Sequence, residues 1–80
     1  MQQIGDTLSF NGTNYLLLRQ LRFNETGNPR KEICVQQLQD LASNDIQIRF
    51  CWWLDGQFMQ QALMTSEIDL QRIKVEIANW

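Results

Sequence analysis

The sequence contains no histidine, and it has only two cysteines and four isolated glycines in 80 residues. Without an imidazole, its serines and cysteines have no base to activate them, and a zinc or redox centre has few ligands available. Carboxylate pairs such as Asp40 with Asp45 are the one remaining route to acid–base chemistry, but turn and helix-surface preferences explain those residues as well. The isolated glycines form no phosphate-binding loop. We therefore expect a protein that is not an enzyme and that needs no metal or cofactor.

Strong charge of either sign is also missing. Seven basic and nine acidic residues give a net charge of -2, and the two signs are interspersed. No basic stripe is available for a nucleic-acid backbone, and the scattered hydrophobic residues argue against a membrane span. The N-terminal residues are mostly polar and do not resemble an export signal. We expect a cytoplasmic protein in which Cys34 and Cys51 are reduced and buried, and we interpret the dispersed glutamines as a solvated surface.

The length favours one small domain over residues 1–80. A domain of this size buries only about 60% of the surface of its unfolded chain, so its core is marginal on its own. Self-association is one way to add buried surface. The size therefore makes a homo-oligomer, or a complex with another protein, an attractive hypothesis.

The first structural signal is Asn11-Gly12, which predicts a tight turn between strands over 7–10 and 13–16. This turn places Phe10 opposite Thr13 and extends the pairing to Asp6 opposite Leu17. Four apolar residues then share a face that should line the core: Leu8, Phe10, Tyr15 and Leu17. The second strand continues to residue 23, where Leu21 and Phe23 inherit the core face.

The same long strand carries Leu16 and Leu18 on its other side. Apolar residues on both faces indicate a central strand, a bulge or a subunit contact. This surplus is the second observation that motivates the homo-oligomer hypothesis.

Residues 24–29 contain Gly, Asn and Pro and predict a loop. Asn28 then suits a helix N-cap and Pro29 the first helical position, with apolar residues recurring at helical spacing up to residue 42. We predict a helix over 30–42. A short strand over 32–36 is the alternative, because Ile33 and Val35 are β-branched.

The clearest alternation follows over residues 46–54 and predicts a strand. It assigns to the core face Ile46, Ile48, Phe50, Trp52 and Leu54. Asp55-Gly56 predicts a two-residue turn that places Trp53 opposite Phe58 and Trp52 opposite Met59. The returning strand should reach residue 65 and place Ile48 opposite Leu63. A turn over 66–70 and a last strand around 73–77 follow, with a terminal helix over 67–80 as the alternative.

Three motifs carry a resemblance to a known family: Gly5-Asp6, Cys51-x-Trp53-x-Asp55-Gly56 and Glu67-x-x-Leu70. Together they resemble the YodC-like family of small uncharacterised bacterial proteins. The resemblance implies a small barrel-like β domain, similar to SH3-type barrels, in which the Trp53 hairpin is a structural hallmark. It implies no particular activity.

We thus predict an α+β, mainly β domain: a small antiparallel sheet or an SH3-like barrel of about five strands, with one helix around 30–42. The function we expect is that of a non-catalytic protein–protein interaction module that self-associates. The candidate interaction surface comprises Trp53, Phe58, Leu16, Leu18 and Arg49. One alternative use is binding of single-stranded nucleic acid or a small ligand by an aromatic and arginine sheet face. In the other alternative, the helix over 30–42 covers Trp53 and Phe58 as a second core.

Overall fold

A computed structural model describes residues 2–80 of the chain. It contains five strands and one helix, and the antiparallel sheet has the strand order β1-β2-β3-β4-β5. The elements are β1 (Thr7–Phe10), β2 (Thr13–Glu25), β3 (Asn28–Asp40), β4 (Ile46–Leu54), β5 (Gln57–Met59) and α1 (Glu67–Ile77). The prediction of a mainly β, α+β chain built on a small antiparallel sheet is confirmed.

Both predicted two-residue turns are present, and both residues of each turn have positive φ. The φ angles are 53° at Asn11 and 74° at Gly12, and 51° at Asp55 and 80° at Gly56. Positive φ at both central positions defines the primed turn that matches the twist of a hairpin. The predicted pairing of Phe10 with Thr13 in the first hairpin is confirmed.

The prediction of a helix over 30–42 is wrong, because residues 30–40 belong to β3 and residues 41–42 to the turn after it. The predicted loop over 24–29 is also wrong, since only a tight turn separates β2 from β3. Asn28 accepts a hydrogen bond at Oδ1 from the backbone N–H of Arg30, at 3.2 Å. A local bond of this kind serves a turn as well as it serves a helix N-cap. β3 lies between β2 and β4, and Ile33, Cys34, Val35 and Gln36 are all buried. Because both faces of this inner strand are buried, its sequence lacks the alternation of apolar and polar residues that indicates a strand.

The helix lies instead at α1, so the predicted turn over 66–70 and the final strand are wrong and the alternative helix is right. Ser66 is the N-cap, and its side chain accepts a hydrogen bond from the backbone N–H of Asp69 at 3.2 Å. The Ser-x-x-Asp spacing is a helix-start signal that the sequence interpretation overlooked. Ile73, assigned to a strand in that interpretation, is 1% exposed on the inner side of α1.

The second hairpin is shorter than predicted, since β5 ends at Met59 and its ladder with β4 stops at Trp52↔Met59. The predicted pairing of Ile48 with Leu63 is therefore wrong. So is the core face assigned to β4, because Ile46, Ile48 and Phe50 are exposed. Cys51, assigned to the outer face, is buried. The alternation of apolar and polar residues predicted the strand correctly, but it did not predict which face of the strand the rest of the protein covers.

The chain groups into two compact units, to which β2, β3 and β4 each contribute residues. The first unit comprises the residues up to Gln20 together with Gln36–Arg49. Its buried cluster contains Leu8, Tyr15, Leu17 and Leu38, with Phe10 packed against it. Phe10 and Tyr15 stack with their ring centroids 4.6 Å apart. The core face predicted from the Asn-Gly hairpin is thus confirmed for the first unit.

A glutamine network also lies in the first unit. The Gln36 side chain is fully buried, and its Nε2 donates to Oε1 of Gln2 at 2.6 Å and to Oε1 of Gln20 at 2.8 Å. Its own Oε1 accepts from Nη1 of Arg49 at 3.3 Å. Interpreting the glutamines as a solvated surface is therefore wrong for Gln36, because an amide whose donors and acceptor are satisfied can be buried.

The second unit comprises Leu21–Val35 and Phe50–Trp80. Its buried cluster contains Phe23, Ile33, Val35 and Ile73, and the inner side of α1 covers the strand residues. Asp69 is fully buried at the start of α1, and its carboxylate accepts hydrogen bonds from Thr26 Oγ1 at 2.7 Å and Thr26 N at 3.1 Å. The Thr26 bonds lower the pKa of Asp69, so the carboxylate is ionised at neutral pH and ties α1 to the turn between β2 and β3.

Candidate functional site

Trp53 and Phe58 form a pair across the second hairpin, as the Asp-Gly turn predicts. They are directly opposite each other in the β4/β5 ladder, with ring centroids 5.5 Å apart in an edge-to-face arrangement. The guanidinium of Arg22 lies 5.2 Å from the centroid of the Trp53 ring. Trp53 is half-buried and Phe58 is exposed. The alternative in which a helix over 30–42 covers this pair is wrong, because residues 30–40 lie in the strand β3.

The cations near this aromatic pair are matched by carboxylates. Arg22 forms an ion pair with Glu32, and Arg30 of β3 forms one with Asp55 in the turn between β4 and β5. The Arg30 guanidinium lowers the pKa of the Asp55 carboxyl by hydrogen bonding to it. The aromatic and arginine face therefore carries little surplus positive charge, which is the quantity a phosphate backbone requires.

Lys31 is likewise paired with a carboxylate. Its Nζ lies 2.8 Å from Oε2 of Glu25 and donates to the carbonyl of Met64 at 2.6 Å. It also lies 5.0 Å from the centroid of the Trp52 ring, whose Nε1 donates to the carbonyl of Gln61. Trp52 is half-buried rather than in the core as predicted.

The two cysteines are buried, as predicted, and lie together in the second unit. Sγ of Cys51 donates to the carbonyl oxygen of Cys34 at 3.7 Å. Hydrogen bonding to the Cys51 side chain, together with burial, raises the pKa of the Cys34 thiol. Because the thiolate is the reactive form, this thiol is a poor nucleophile at neutral pH. The pair contributes packing to the sheet.

The other three residues of the predicted interaction surface lie in the first unit. Leu16 and Leu18 are half-buried along β2. Arg49 is also half-buried, with its guanidinium 4.5 Å from the centroid of the Phe10 ring and a hydrogen bond to Gln36. The structure thus places Arg49 among the residues that organise the first unit, while Trp53 and Phe58 belong to the second unit.

The outer edge of β4 is the site that the sequence interpretation missed. The ladder with β5 reaches only from Leu54 back to Trp52, so residues 46–51 extend beyond it. Ile46 is 53% exposed and Ile48 is 42% exposed on one face of this extension. One signal in the sequence could have indicated this edge. Polar residues follow Met59 soon after the Asp-Gly turn, and they limit the length of β5.

No protein-family model, curated protein or solved structure matches this chain. The resemblance to the YodC-like family therefore stays a prediction. Among residues 2–80, no group of three or more His, Cys, Asp or Glu side chains is arranged to hold a metal ion. Within the same residues, no helix combines the length and apolar character needed to cross a bilayer.

Proposed function

We propose that this protein is a non-catalytic interaction module that pairs with a second copy of itself through the outer edge of β4. The observation that carries the proposal is that β4 extends beyond its ladder with β5 and exposes Ile46 and Ile48 on this extension. An edge strand offers a row of backbone N–H and C=O groups to another strand. Exposed apolar side chains at alternating positions add a hydrophobic strip along the same edge.

The local sequence is complementary to itself when two such edges run antiparallel. With Gln47 at the two-fold axis, Ile46 of one copy lies opposite Ile48 of the other. The exposed carboxylate of Asp45 then lies at the rim of each apolar pair. A two-fold contact needs a surface that matches itself, and this five-residue segment meets that requirement.

Binding of single-stranded nucleic acid is the second candidate, and the contact of Arg22 with Trp53 favours it. The ion pair between Arg22 and Glu32, and the net charge of -2, weigh against it. We expect a labelled single-stranded oligonucleotide to show no anisotropy change with the protein at low ionic strength. Binding that weakens as salt is added would favour this candidate instead.

Ile48→Lys tests the self-pairing of β4. We expect the variant to raise the dissociation constant of the β4 contact by about tenfold or more, because two lysines would be forced into the apolar strip. Sedimentation equilibrium over a range of concentrations measures the change. Asp45→Lys should weaken the contact less, because Asp45 is an exposed residue at the rim of the contact.

Ser9→Lys is the matched control, since it adds the same charge to an exposed position of β1. It should leave self-association unchanged, and circular dichroism should report the same fold for all three variants. If Ile48→Lys and Ser9→Lys associate equally well, the β4 edge is not the contact and the proposal is wrong.

A further inference from the structure

The helix α1 has an apolar side that faces solvent as well as one that faces the sheet. On the inner side, Ile73 is buried and Ile77 packs against the same cluster. On the outer side, Ile68 is 71% exposed and Val75 is 68% exposed. These two residues are seven positions apart, so they lie on one side of the helix, two turns from each other.

A single exposed apolar residue needs no explanation, but this pair has two features that point to a contact. Isoleucine and valine are weaker helix formers than the charged and amide residues usual on a solvated helix face. Arg72, which lies between them on the helix surface, directs its guanidinium to 4.4 Å from the centroid of the Phe23 ring. Its charged head is therefore held at the inner cluster, and the outer stripe formed by Ile68 and Val75 stays apolar.

We infer that this outer stripe of α1 is a second self-contact, in which α1 packs antiparallel against α1 of another copy. With the two-fold axis between Gln71 and Arg72, Ile68 of one copy meets Val75 of the other. Glu67 and Lys74 flank the stripe on the same side of the helix. In an antiparallel pair, like flanks lie next to each other, which brings Lys74 of each copy close to Glu67 of the other.

The charges on α1 favour this partner over an anionic membrane surface. On the solvent-facing surface of α1, Lys74 stands against the carboxylates of Glu67 and Glu76, since Asp69 is buried and the Arg72 guanidinium lies at Phe23. An interfacial helix that binds anionic lipid carries a basic polar face instead. The arrangement is therefore suited to reciprocal ion pairs with a second helix of the same sequence.

The α1 contact is independent of the β4 contact, because the two use different residues. A chain with two different two-fold contacts assembles beyond a dimer, unless both contacts join the same two copies. In either case, removal of one contact leaves the other able to hold two chains together. Variants of each surface, alone and combined, therefore separate the two contacts.

The experiment is sedimentation equilibrium of the full chain in four forms: wild type, Ile48→Lys, Val75→Lys and the double variant. We expect Ile48→Lys to remain associated through α1, and the double variant to have a dissociation constant about tenfold or more higher than Ile48→Lys alone. If Ile48→Lys and the double variant have equal dissociation constants, the α1 contact is overturned and the β4 proposal is untouched. If Val75→Lys alone abolishes association while Ile48→Lys has no effect, the β4 proposal fails and the α1 contact stands.

A charge exchange tests the antiparallel arrangement itself, in the Ile48→Lys background. Lys74→Glu should weaken association, because it replaces each ion pair between Lys74 and Glu67 with two neighbouring carboxylates. Adding Glu67→Lys should restore association by reversing both members of each ion pair. Restoration supports the contact, and a further loss of association would overturn the antiparallel register.

Gln60→Lys is the matched control for Val75→Lys, since it adds the same charge to an exposed position outside the helix. It should leave the dissociation constant unchanged. Urea unfolding followed by circular dichroism shows whether each variant keeps its fold, and only folded variants are compared.

Discussion

In the first unit the buried polar group is the neutral amide of Gln36, whereas in the second unit it is the ionised carboxylate of Asp69. Gln36 is satisfied by Gln2, Gln20 and Arg49, and Asp69 by Thr26 and Ser66. Both groups keep their hydrogen bonds, so neither carries the full cost of burial. The difference lies in their response to pH: the amide has no proton to gain in the ordinary range, and the carboxylate does. The buried polar group of the first unit is thus expected to be insensitive to acid, and that of the second unit is expected to be sensitive to it.

The largest effect should come from removing the apolar contact between α1 and the sheet. Ile73→Ala deletes a fully buried side chain and should lower the free energy of unfolding by about 2–5 kcal/mol. An isolated helix of 11 residues is marginal in water, so α1 should lose helicity together with its packing. Urea unfolding followed by circular dichroism measures both effects. Unchanged stability would show that the cluster around Ile73 does not hold the helix.

Asp69→Asn should have the next largest effect, lowering the free energy of unfolding by about 2–3 kcal/mol at neutral pH, because the Thr26 bonds lose their charged acceptor. The pKa of Asp69 is lower in the folded chain, so its contribution is fully present above the ordinary carboxyl pKa of about 4. That contribution is lost as the pH falls through the lower, folded pKa.

The stability difference between wild type and Asp69→Asn should therefore shrink in acid. Unfolding experiments at a series of pH values test the sign of this dependence. A difference that stays constant from neutral pH into strong acid would contradict the role given to the carboxylate.

Gln36→Leu should have the smallest effect of the three, about 1–2 kcal/mol, because it leaves polar groups of Gln2, Gln20 and Arg49 without their buried partner. Its cost should not change between neutral and acidic pH, in contrast to that of Asp69→Asn. The same unfolding series measures it. If the loss of unfolding free energy caused by Gln36→Leu becomes smaller in acid, the two buried groups do not differ in their response to pH.

Local signals allowed the two primed turns, and the pairing of the residues next to them, to be predicted correctly. Asn11-Gly12 and Asp55-Gly56 carry their own conformational preference, and each sets the pairing of the residues next to it. The pairing of Trp53 with Phe58, and hence part of the candidate site, follows from the second turn alone. The exposed β4 edge could not be predicted in this way, because it depends on where β5 stops.

Apart from the overlooked helix start at Ser66, the wrong predictions concern residues whose state depends on distant neighbours. Asn28 and Pro29 begin a strand although they match a helix start, because β3 is buried between two other strands. Ile46 and Ile48 are exposed although they alternate like core residues, because the covered face of β4 is the opposite one, which carries Cys51. Gln36 is buried because three other side chains satisfy its amide.

The sequence by itself determined the class of the domain, the two primed turns and the face that Leu8, Tyr15 and Leu17 share, because these depend on local backbone preference and alternation. Only the tertiary structure decided that residues 28–40 form a strand, that α1 covers Phe23 and Ile33, and that Ile46 and Ile48 stay uncovered. Whether a residue is buried depends on the strand or helix that packs against it. The sequence pattern along one strand does not specify which element that will be.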